Sequence, residues 1–589
     1  MNNMPQITRA FDILSYQLQK YPQPDCLAAK INGTWQTQST QEVMDAVNNF
    51  SLGLLAIGIK KDDKIALVSF NRPEWIIADL GIQQIGAVSV PMYPTITEED
   101  YRYIFKEAEV KLILVSDEKL YNRVSAATAQ IEGIQGIYSF DRLTGVKHWS
   151  EITDQSGAVG MDQLEASKAV ITPEDLFTII YTSGTTGNPK GVMLTHSNIV
   201  SNYKSCQPYV PVNNEHRALS FLPLCHIYER MLSVLYMAEG VSIYYAESIE
   251  RVADNLREVK PHVFATVPRL LEKVYDKIVA KGKELTGAKK SLFFWALELG
   301  LKYDVRGMSA WYNAQLAIAN KLIFNKWREA LGGNVIAIVS GGAALQPRLA
   351  RVFGAANIRV MEGYGLTETS PVIAVNRHNP EDHMIGTVGP PVDDIEVKIA
   401  PEDGEILTRS ASVMKGYYKH PELTAEVIDK DGWFHTGDIG EMVEGKYLKI
   451  TDRKKEMFKT SGGKYIAPQL IENKLKESVL IEQAMVIGDG RKFASALIVP
   501  SFPDLREWCR EQNIPYTTDA EMIQHPEVQA LYDREVKKYN AHFAQWEQVK
   551  RHELLPKLWS IESGELTAKL SLKRKVILQN NKELIEKIY

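Results

Sequence analysis

Residues 176–191 read LFTIIYTSGTTGNPKG, an apolar run that leads directly into a loop of small and hydroxyl-bearing side chains. The run from Leu176 to Tyr181 predicts a buried β-strand. The ten residues after it contain four hydroxyl side chains, three glycines and one lysine, namely Thr182, Ser183, Gly184, Thr185, Thr186, Gly187, Lys190 and Gly191. Glycines let backbone N–H groups approach an anion, hydroxyls donate to phosphate oxygens, and the lysine adds positive charge. The loop therefore predicts a site for a nucleoside triphosphate.

The spacing of this loop differs from that of a Walker loop. A Walker loop has two glycines separated by four residues, followed by a lysine and then a serine or threonine. Counting from Gly184, Pro189 stands at the position of the second glycine, and Gly191 follows Lys190. A P-loop kinase is therefore excluded.

Strand-like and helical segments alternate along most of the chain. Apolar runs typical of buried strands occur at residues 64–70, 87–90, 111–116, 176–181, 241–245, 263–267, 335–340 and 358–362. Strands separated by helices indicate an α/β architecture with doubly wound, parallel sheets. We expect these sheets to fill a large N-terminal region.

The pattern changes at the charged run 451–455. Beyond it come a helix from Pro468, a hairpin over residues 484–499 and a long amphipathic helix with apolar residues at helical spacing from Val528 to Val549. This order predicts a small α+β domain. We therefore expect a large domain over 1–451, a linker over 452–455 and a small C-terminal domain over 456–589.

The composition of the chain argues against several other classes of protein. The chain has 589 residues, of which 45% are hydrophobic and 24% charged, and its net charge of −5 gives no nucleic-acid signature. Its four cysteines lie far apart without a CxxC pair, which indicates a reducing compartment. Neither a signal peptide nor an apolar run of about 18 residues is visible, so we expect a cytoplasmic protein. A peripheral membrane contact and an oligomer are left open.

Four further motifs follow the loop along the chain. They are Ser340-Gly-Gly-Ala-Ala344, Tyr364-Gly-Leu-Thr-Glu368, Thr436-Gly-Asp438 and Asp452-Arg453. In content and order, the loop and these motifs resemble the adenylate-forming superfamily of acyl-CoA synthetases, luciferases and peptide-synthetase adenylation domains. The resemblance extends from about Ala28 to the C-terminus, and it implies a small domain that is mobile.

Three segments resemble one branch of this superfamily, the synthetases that act on fatty acids. Residues 431–455, DGWFHTGDIGEMVEGKYLKITDRKK, resemble the fatty-acyl-CoA synthetase signature along their whole length. Residues 222–230, LPLCHIYER, and the extended segment 281–333 resemble long-chain synthetases. The implied activity is a ligase that joins a long-chain fatty acid to CoA through acyl-AMP, with ATP, Mg²⁺ and CoA as partners.

The resemblance also implies roles for individual residues. Glu368 would hold Mg²⁺, Tyr364 would stack on adenine, Thr367 would contact the α-phosphate, and Asp438 and Arg453 would bind the ribose. The implied ATP site consists of Thr182, Ser183, Gly184, Thr185, Thr186, Gly187, Lys190, Gly342, Ala343, Glu362, Gly363, Tyr364, Gly365, Thr367, Asp438 and Arg453. An alternative for Asp438 and Arg453 is an ion pair with each other.

Other implied residues serve the acyl group, the hinge and CoA. His226, Gly341 and Gly342 would border the fatty acid, although a lone histidine is also common as a structural residue. Lys455, two residues after the motif arginine, would be the hinge. Ser461, Gly462 and Gly463 would line the CoA channel, and an ordinary hairpin turn is the alternative.

The C-terminal run departs from the family pattern. Relatives carry a catalytic lysine within an ELTPTxKxKR-like run, whereas this chain has Ser571 at that position, with Lys569 and Lys573 two residues away on either side. Side chains at i and i+2 share a face of an extended segment. Either lysine could thus replace the usual one, and Lys569 is the prediction, with Lys190, Thr367 and Glu368 as the other catalytic residues.

Two other functions remain open from the sequence. One is a fatty-acyl-AMP or acyl-carrier-protein ligase, which AMP formation with CoA or a carrier protein would distinguish. The other is a non-catalytic adenylate-binding protein, supported only by the missing lysine.

Overall fold

The computed structural model describes residues 6–182, 188–560, 563–567 and 571–589. The chain divides into two units. The first comprises Met1–Lys398, Leu407–His435 and Val443–Leu448, and the second comprises Ile399–Ile406, Thr436–Met442 and Lys449–Tyr589.

The β-strands are numbered in chain order. They are β1 Leu27–Ile31, β2 Thr34–Gln38, β3 Lys64–Val68, β4 Val88–Met92, β5 Val110–Val115, β6 Gly136–Ser139, β7 Lys147–His148, β8 Leu176–Thr182, β9 Lys190–Thr195, β10 Arg217–Ser220, β11 Ser242–Tyr245, β12 Val263–Thr266, β13 Ala337–Ser340, β14 Val360–Gly365, β15 Val372–Val375, β16 Glu396–Ile399, β17 Glu405–Arg409, β18 Gly416–Tyr417, β19 Phe434–Val443, β20 Tyr447–Arg453, β21 Phe458–Lys459, β22 Tyr465–Ile466, β23 Ile481–Ile487, β24 Ser495–Pro500 and β25 Arg551–Leu554.

The α-helices are numbered in the same way. They are α1 Asp12–Lys20, α2 Thr40–Ala56, α3 Pro73–Gln84, α4 Glu98–Glu107, α5 Glu118–Thr128, α6 Ser150–Thr153, α7 Met161–Ala169, α8 His196–Cys206, α9 Ile227–Ala238, α10 Val252–Val259, α11 Pro268–Glu284, α12 Gly287–Leu301, α13 Ala310–Ala319, α14 Asn325–Ala330, α15 Pro347–Ala355, α16 Pro421–Val427, α17 Pro468–Leu475, α18 Phe502–Glu511, α19 Asp519–Gln524, α20 Pro526–Asn540, α21 Arg574–Asn580 and α22 Lys582–Ile588.

Two eight-stranded sheets organise the first unit. One has the order β15-β14-β13-β12-β10-β11-β1-β2, and its six central strands are parallel. The other has the order β18-β9-β8-β4-β3-β5-β6-β7, parallel from β8 to β7, with β9 and β18 antiparallel at one edge. The predicted α/β class with parallel sheets is confirmed, and the antiparallel edge strands are an addition to it.

The second unit has a core of its own. Strands β23 and β24 form an antiparallel hairpin, and β25 joins it in parallel. Helices α17 to α22 contribute apolar side chains to one buried cluster with these strands, for example Leu475, Leu505 and Val528. The predicted smaller α+β C-terminal domain is confirmed. The residues of β16, β17, β19 and β20 are divided between the two units.

The predicted long helix is shorter than its apolar pattern indicates. Helix α20 ends at Asn540, and Trp546, which we expected in the core, is 51% exposed. The Asn540 side chain donates to the Val549 carbonyl oxygen at 2.8 Å and accepts from the Val549 N–H at 3.0 Å. These two hydrogen bonds hold Val549 against the end of the helix, so the residues between Asn540 and Val549 are not helical.

Candidate functional site

The two ends of the predicted phosphate loop are cross-strand neighbours. Strand β8 ends at Thr182, β9 begins at Lys190, and these two residues pair with each other in the antiparallel register. The connection between them is therefore a hairpin loop at the end of a buried strand. The predictions for Ser183, Gly184, Thr185, Thr186 and Gly187 lie outside the described residues.

A tyrosine links the predicted catalytic lysine to the predicted metal ligand. The two-residue strand β18 pairs with β9 and places Tyr417 opposite Val192. The Lys190 Nζ lies 5.1 Å from the centre of the Tyr417 ring, and the Tyr417 hydroxyl donates to Glu368 Oε1 at 3.0 Å. Burial, with the nearby Glu368 charge, raises the pKa of Tyr417, so its hydroxyl stays protonated as a donor.

Glu368 lies in a tightly fixed turn. It is the middle residue of the 3₁₀ turn Thr367–Thr369, whose two threonines are buried. The Glu368 carbonyl oxygen accepts from the Met414 N–H at 2.8 Å. Just before the turn, a Cβ atom on Gly365 would lie 1.8 Å from the Pro371 carbonyl oxygen, so the backbone passes too closely for any other residue. The backbone at Glu368 is thus fixed, and its carboxylate lies at the Tyr417 hydroxyl.

Two further motifs lie at the carboxyl ends of neighbouring parallel strands. Ser340, the last residue of β13, is in register with Glu362 of β14. Gly341, Gly342 and Ala343 follow β13, whereas Gly363, Tyr364 and Gly365 complete β14. The carboxyl ends of parallel strands are where doubly wound sheets bind ligands. The structure therefore brings these predicted ATP residues together at one edge of the sheet.

The turn after β13 passes close to the Tyr228 ring. A Cβ atom on Gly341 would lie 3.3 Å from the Tyr228 Cζ atom and 3.6 Å from the Gly363 carbonyl oxygen. Gly342 has φ +81°, a conformation that favours glycine. The small residues of this turn therefore allow a close approach of backbone to the Tyr228 ring.

Glu362 is a buried acid at this edge. Its Oε1 accepts from the Leu345 N–H at 2.9 Å, and burial raises the pKa of Glu362 to about 8. The carboxyl is therefore mainly protonated at pH 7. A protonated Glu362 carboxyl can donate a hydrogen bond in addition to accepting the one from the Leu345 N–H.

His226 has a clear structural role. It is the N-cap residue of α9, and its Nδ1 accepts from the Tyr228 N–H at 3.1 Å. Its ring also forms an edge contact with Tyr93, with the ring centres 6.5 Å apart. These contacts fix the start of α9, so the predicted acyl contact of His226 remains a prediction.

The buried Arg230 on the same helix was not predicted to have a role. Its guanidinium pairs with Asp79 of α3 at 2.5 Å and donates to the Thr178 hydroxyl of β8 at 2.8 Å. It therefore connects α9 to β8, the strand before the predicted phosphate loop. The only signal in the sequence was the placement of an arginine within an apolar helix, which indicates a buried partner without naming it.

In the second unit, Asp438 and Arg453 lie side by side. Asp438 is buried, and its Oδ1 is 3.5 Å from the Arg453 Nε. The ion pair expected as the alternative is therefore present. An aspartate held by an arginine can also accept hydroxyl hydrogen bonds on its remaining lone pairs, so this pairing is compatible with a ribose site.

Lys455 lies in a turn directly after β20. The Lys454 N–H donates to the Gly437 carbonyl oxygen, and the Glu456 and Met457 N–H groups both donate to that of Arg453. The Lys455 side chain is exposed. The predicted hinge thus has a compact backbone geometry and a side chain in solvent.

Ser461, Gly462 and Gly463 form the turn between β21 and β22. The Ser461 N–H donates to the Arg491 carbonyl oxygen at 2.8 Å, and Gly463 has φ +79°. This is the hairpin turn expected as the alternative to a CoA channel. Its geometry leaves the CoA role as a prediction.

The C-terminal run forms a tight antiparallel pair. The Thr567 N–H donates to the Ser571 carbonyl oxygen at 2.9 Å, and the Lys573 N–H donates to that of Glu565 at 2.8 Å. Ser571 and Lys573 are both exposed, as residues at i and i+2 of an extended segment should be. Lys569, the predicted catalytic lysine, lies outside the described residues.

Comparison with known proteins decides the family. The model of the family described as AMP-binding enzyme matches residues 14–418, and that of the AMP-binding enzyme C-terminal domain matches residues 456–589. The chain belongs to the AMP-binding enzyme family.

Relatives of this AMP-binding enzyme align along nearly all of it. It is 34% identical over 567 residues to the long-chain-fatty-acid–CoA ligase FadD15 of Mycobacterium bovis, covering 95% of this chain and 93% of that protein. It is 30% identical to long-chain-fatty-acid–CoA ligase 1 of Homo sapiens, covering 96% and 84%. The solved anthranilate CoA ligase AuaEII with anthranoyl-AMP aligns with a TM-score of 0.73 at 18% identity, covering 98% of each chain, which supports the fold.

Within the part of the chain that the structure describes, no helix is both long and apolar enough to cross a bilayer. In the same residues, no cluster of three or more His, Cys, Asp or Glu side chains is arranged to hold a metal ion.

Arg574 stabilises the second unit of the enzyme through two acidic partners. Its Nε lies 2.9 Å from Glu456 Oε2, next to the predicted hinge residue Lys455, and its Nη2 lies 2.7 Å from Glu472 Oε2. Burial raises the pKa of Glu472, and Arg574 opposes that effect. The arginine therefore offsets part of the cost of burying the Glu472 carboxylate.

Arg574→Met is expected to destabilise this unit by about 3–5 kcal/mol, because it leaves a buried carboxylate without its partner. The measurement is hydrogen exchange of the β23 and β24 amides as a function of urea. The exposed Arg510 provides the matched control, Arg510→Met. Equal protection in the two variants would contradict the assignment.

Proposed function

We propose that this enzyme activates a long-chain fatty acid with ATP to give acyl-AMP and pyrophosphate, then transfers the acyl group to CoA with release of AMP. The observation that carries the proposal is the 34% identity over 95% of the chain to a long-chain-fatty-acid–CoA ligase. That alignment includes both units. In the first unit, Tyr417 contacts Lys190 through its ring and Glu368 through its hydroxyl.

The first half-reaction brings two negatively charged reactants together. A carboxylate is a poor electrophile for a thiol, so it is first converted to an anhydride with phosphate. In that step the carboxylate oxygen attacks the α-phosphorus, and the bond to the β-phosphate oxygen breaks. An anion thus approaches a polyanion, and catalysis depends on charge neutralisation and positioning.

The first unit supplies groups suited to this task. Lys190 provides a cation at the start of β9, and Thr182 pairs with it at the other end of the loop. Thr367 is buried beside Glu368, where its hydroxyl would contact the α-phosphate. We assign the adenine contacts to Tyr364 and to the backbone of Gly342, Ala343, Glu362, Gly363 and Gly365, and the remaining phosphate contacts to Ser183, Gly184, Thr185, Thr186 and Gly187.

Glu368 fits the requirements of a magnesium ligand. Mg²⁺ at nucleotide sites takes one or two carboxylates together with phosphate oxygens. The Tyr417 hydroxyl donates to Oε1 of Glu368, and among the described residues Oε2 of Glu368 has no hydrogen-bond partner. When bound there, Mg²⁺ would neutralise phosphate charge. Tyr417 would hold the carboxylate in one orientation for it.

The second half-reaction requires the CoA thiol to attack the acyl carbonyl and to displace AMP. We assign Asp438 and Arg453 to the ribose, Lys455 to the pivot between the two half-reactions, and Ser461, Gly462 and Gly463 to the CoA channel. His226, Gly341 and Gly342 are assigned to the acyl group. The close approach of Gly341 to the Tyr228 ring supports this last assignment.

The test of the first half-reaction is fatty-acid-dependent exchange of labelled pyrophosphate into ATP. Exchange that requires palmitate and Mg²⁺ is the expected result. Exchange without added acid, or none with any acid, would contradict the proposal. A carrier protein that accelerates AMP release more than CoA does would favour an acyl-carrier-protein ligase.

Lys569→Ala is expected to slow acyl-AMP formation on the order of a hundredfold. A lysine near the forming bond contributes about 3 kcal/mol, similar to an oxyanion-hole donor, and each 1.36 kcal/mol is about tenfold. Transfer from preformed acyl-AMP to CoA should be nearly unchanged. Single-turnover assays of the two steps measure both effects.

Lys573→Ala is the matched control, because Lys573 begins a Lys-Arg-Lys cluster and is exposed. It should change neither step. Ser571→Lys in the Lys569→Ala background should restore adenylation. Full activity of both alanine variants would show that the catalytic charge comes from another residue.

A further inference from the structure

The short strand that carries Tyr417 continues into a polar segment. Residues 416–420 read GYYKH, and α16 begins directly after them at Pro421. The Tyr417 N–H donates to the Thr424 hydroxyl of α16 at 2.9 Å, and the next N–H, that of Tyr418, donates to the Gly191 carbonyl oxygen of β9 at 2.7 Å. The position of Tyr417 therefore depends on β9 on one side and on α16 on the other.

The last residue of this segment, His420, lies between two carboxylates. Its Nε2 is 3.0 Å from Glu107 Oε1 at the end of α4, and its Nδ1 is 3.0 Å from Glu422 Oε1 in the first turn of α16. A carboxylate only accepts hydrogen bonds, so both contacts are hydrogen bonds only when each ring nitrogen carries a proton. Glu107 and, next, Glu422 raise the pKa of His420, and this favours the imidazolium.

The other ionisable groups around His420 do not replace these two carboxylates. They are one cation, one carboxylate and three tyrosines, namely Lys419, Glu109, Tyr103, Tyr181 and Tyr418. Lys419 pairs with Glu109 at 2.9 Å, so their charges oppose each other. Burial, together with the contact to Glu107, raises the pKa of Tyr103 and that of Tyr181, so both hydroxyls are neutral at pH 7.

One threonine connects His420 to Tyr417. The His420 carbonyl oxygen accepts from the Thr424 N–H at 3.2 Å and from the Thr424 hydroxyl at 3.0 Å. The same hydroxyl accepts from the Tyr417 N–H. Tyr417 in turn contacts Lys190 through its ring and Glu368 through its hydroxyl. A displacement of His420 is therefore transmitted to the tyrosine that orients Glu368.

We propose that His420 is a positioning residue for the first half-reaction, because its doubly protonated ring holds Tyr417 in place and Tyr417 orients the Glu368 carboxylate. The inference rests on the proposed function, which assigns Glu368 to the phosphate site. A neutral ring keeps only one of the two contacts, since its other nitrogen turns a lone pair toward a carboxylate.

The direction of the pH dependence follows from the raised pKa of His420. The contribution of the imidazolium is complete below the ordinary histidine pKa, and it is lost as the pH rises through the raised value. Acyl-AMP formation should therefore decrease on the alkaline side.

The test is palmitate-dependent exchange of labelled pyrophosphate into ATP between pH 6.0 and 9.5, in the unaltered protein, His420→Arg and His420→Gln. Arginine stays charged over this range and can donate to both carboxylates, whereas glutamine is neutral. The rate of the unaltered protein relative to His420→Arg should fall about threefold to tenfold as the pH rises, because one charge-assisted hydrogen bond is lost. Dividing the two rates cancels the ionisation of ATP and pyrophosphate. His420→Gln should be slow at every pH.

Hydrogen exchange at pH 7 gives a readout that does not depend on activity. The amides of Tyr417 and Tyr418 should exchange about threefold faster or more in His420→Gln, and at the unaltered rate in His420→Arg. Glu422→Gln should lower the pH at which the relative rate falls, because it removes one of the two carboxylates. Glu426→Gln is the matched control, since Glu426 is exposed on the same helix, and it should change neither readout.

A relative rate that does not change with pH would overturn the proposal, and so would equal activity of His420→Gln and His420→Arg. Faster amide exchange in His420→Gln with an unchanged pH profile would also overturn it, because His420 would then only stabilise the segment. Absence of palmitate-dependent exchange in the unaltered protein at any pH would contradict the proposed function instead. The amide exchange rates would then decide whether His420 fixes Tyr417.

Discussion

Glu368→Gln is expected to slow acyl-AMP formation on the order of a thousandfold. The substitution removes the charge that would hold Mg²⁺ but keeps an oxygen that can accept from the Tyr417 hydroxyl, now 3.0 Å from Oε1. The fold should therefore persist while transition-state stabilisation is lost, at the upper end of the effect of one electrostatic group. Pyrophosphate exchange over a range of Mg²⁺ concentrations measures it.

Tyr417→Phe separates the charge of Glu368 from its orientation. This variant loses one hydrogen bond to a charged group, worth about 1.5–3 kcal/mol, so a smaller decrease of about tenfold or more is expected. The apparent Mg²⁺ affinity should fall in both variants, and further in Glu368→Gln. If Glu368→Gln kept more than a tenth of the activity, the assignment of the metal ligand would be wrong.

Lys455→Pro is expected to separate the two half-reactions. Proline fixes φ near −65°, so a rotation that needs another φ at residue 455 is disfavoured, and an added barrier of about 3 kcal/mol corresponds to on the order of a hundredfold in rate. Acyl-AMP formation should continue, and thioester formation should fall by that factor. Rapid-quench measurement of acyl-AMP and acyl-CoA in one turnover distinguishes the steps.

Lys455→Ala is the control for loss of the side chain, which is exposed and should matter little. Equal melting temperatures of the two variants would exclude a general effect on folding. A proline variant in which both half-reactions fall equally would mean that Lys455 is not the pivot.

Much of the sheet architecture could be predicted because it depends on local patterns. The apolar run before Thr182 and the glycines after Ser340 indicate strand ends, and parallel strands bring their carboxyl ends together. Ser340 and Glu362, at or near the ends of two neighbouring parallel strands, are in register.

Other features depend on contacts between distant segments. Tyr417 belongs to a two-residue strand, which is too short to produce a periodic signal, and only its pairing with β9 places it beside Glu368. Arg230 and Asp79 are 151 residues apart. The end of α20 likewise depends on the Asn540–Val549 hydrogen bonds, which hydrophobic spacing does not encode.

The most direct test of the function is CoA-dependent AMP release over saturated acids from C2 to C20. An apolar acyl site gains about 0.8 kcal/mol per buried CH₂ group, so kcat/KM should rise with chain length. We predict activity with acids longer than about C10, equimolar release of AMP, pyrophosphate and acyl-CoA, and little turnover of acetate. Highest turnover with acetate or an aromatic acid, or AMP release that does not respond to CoA, would contradict the account.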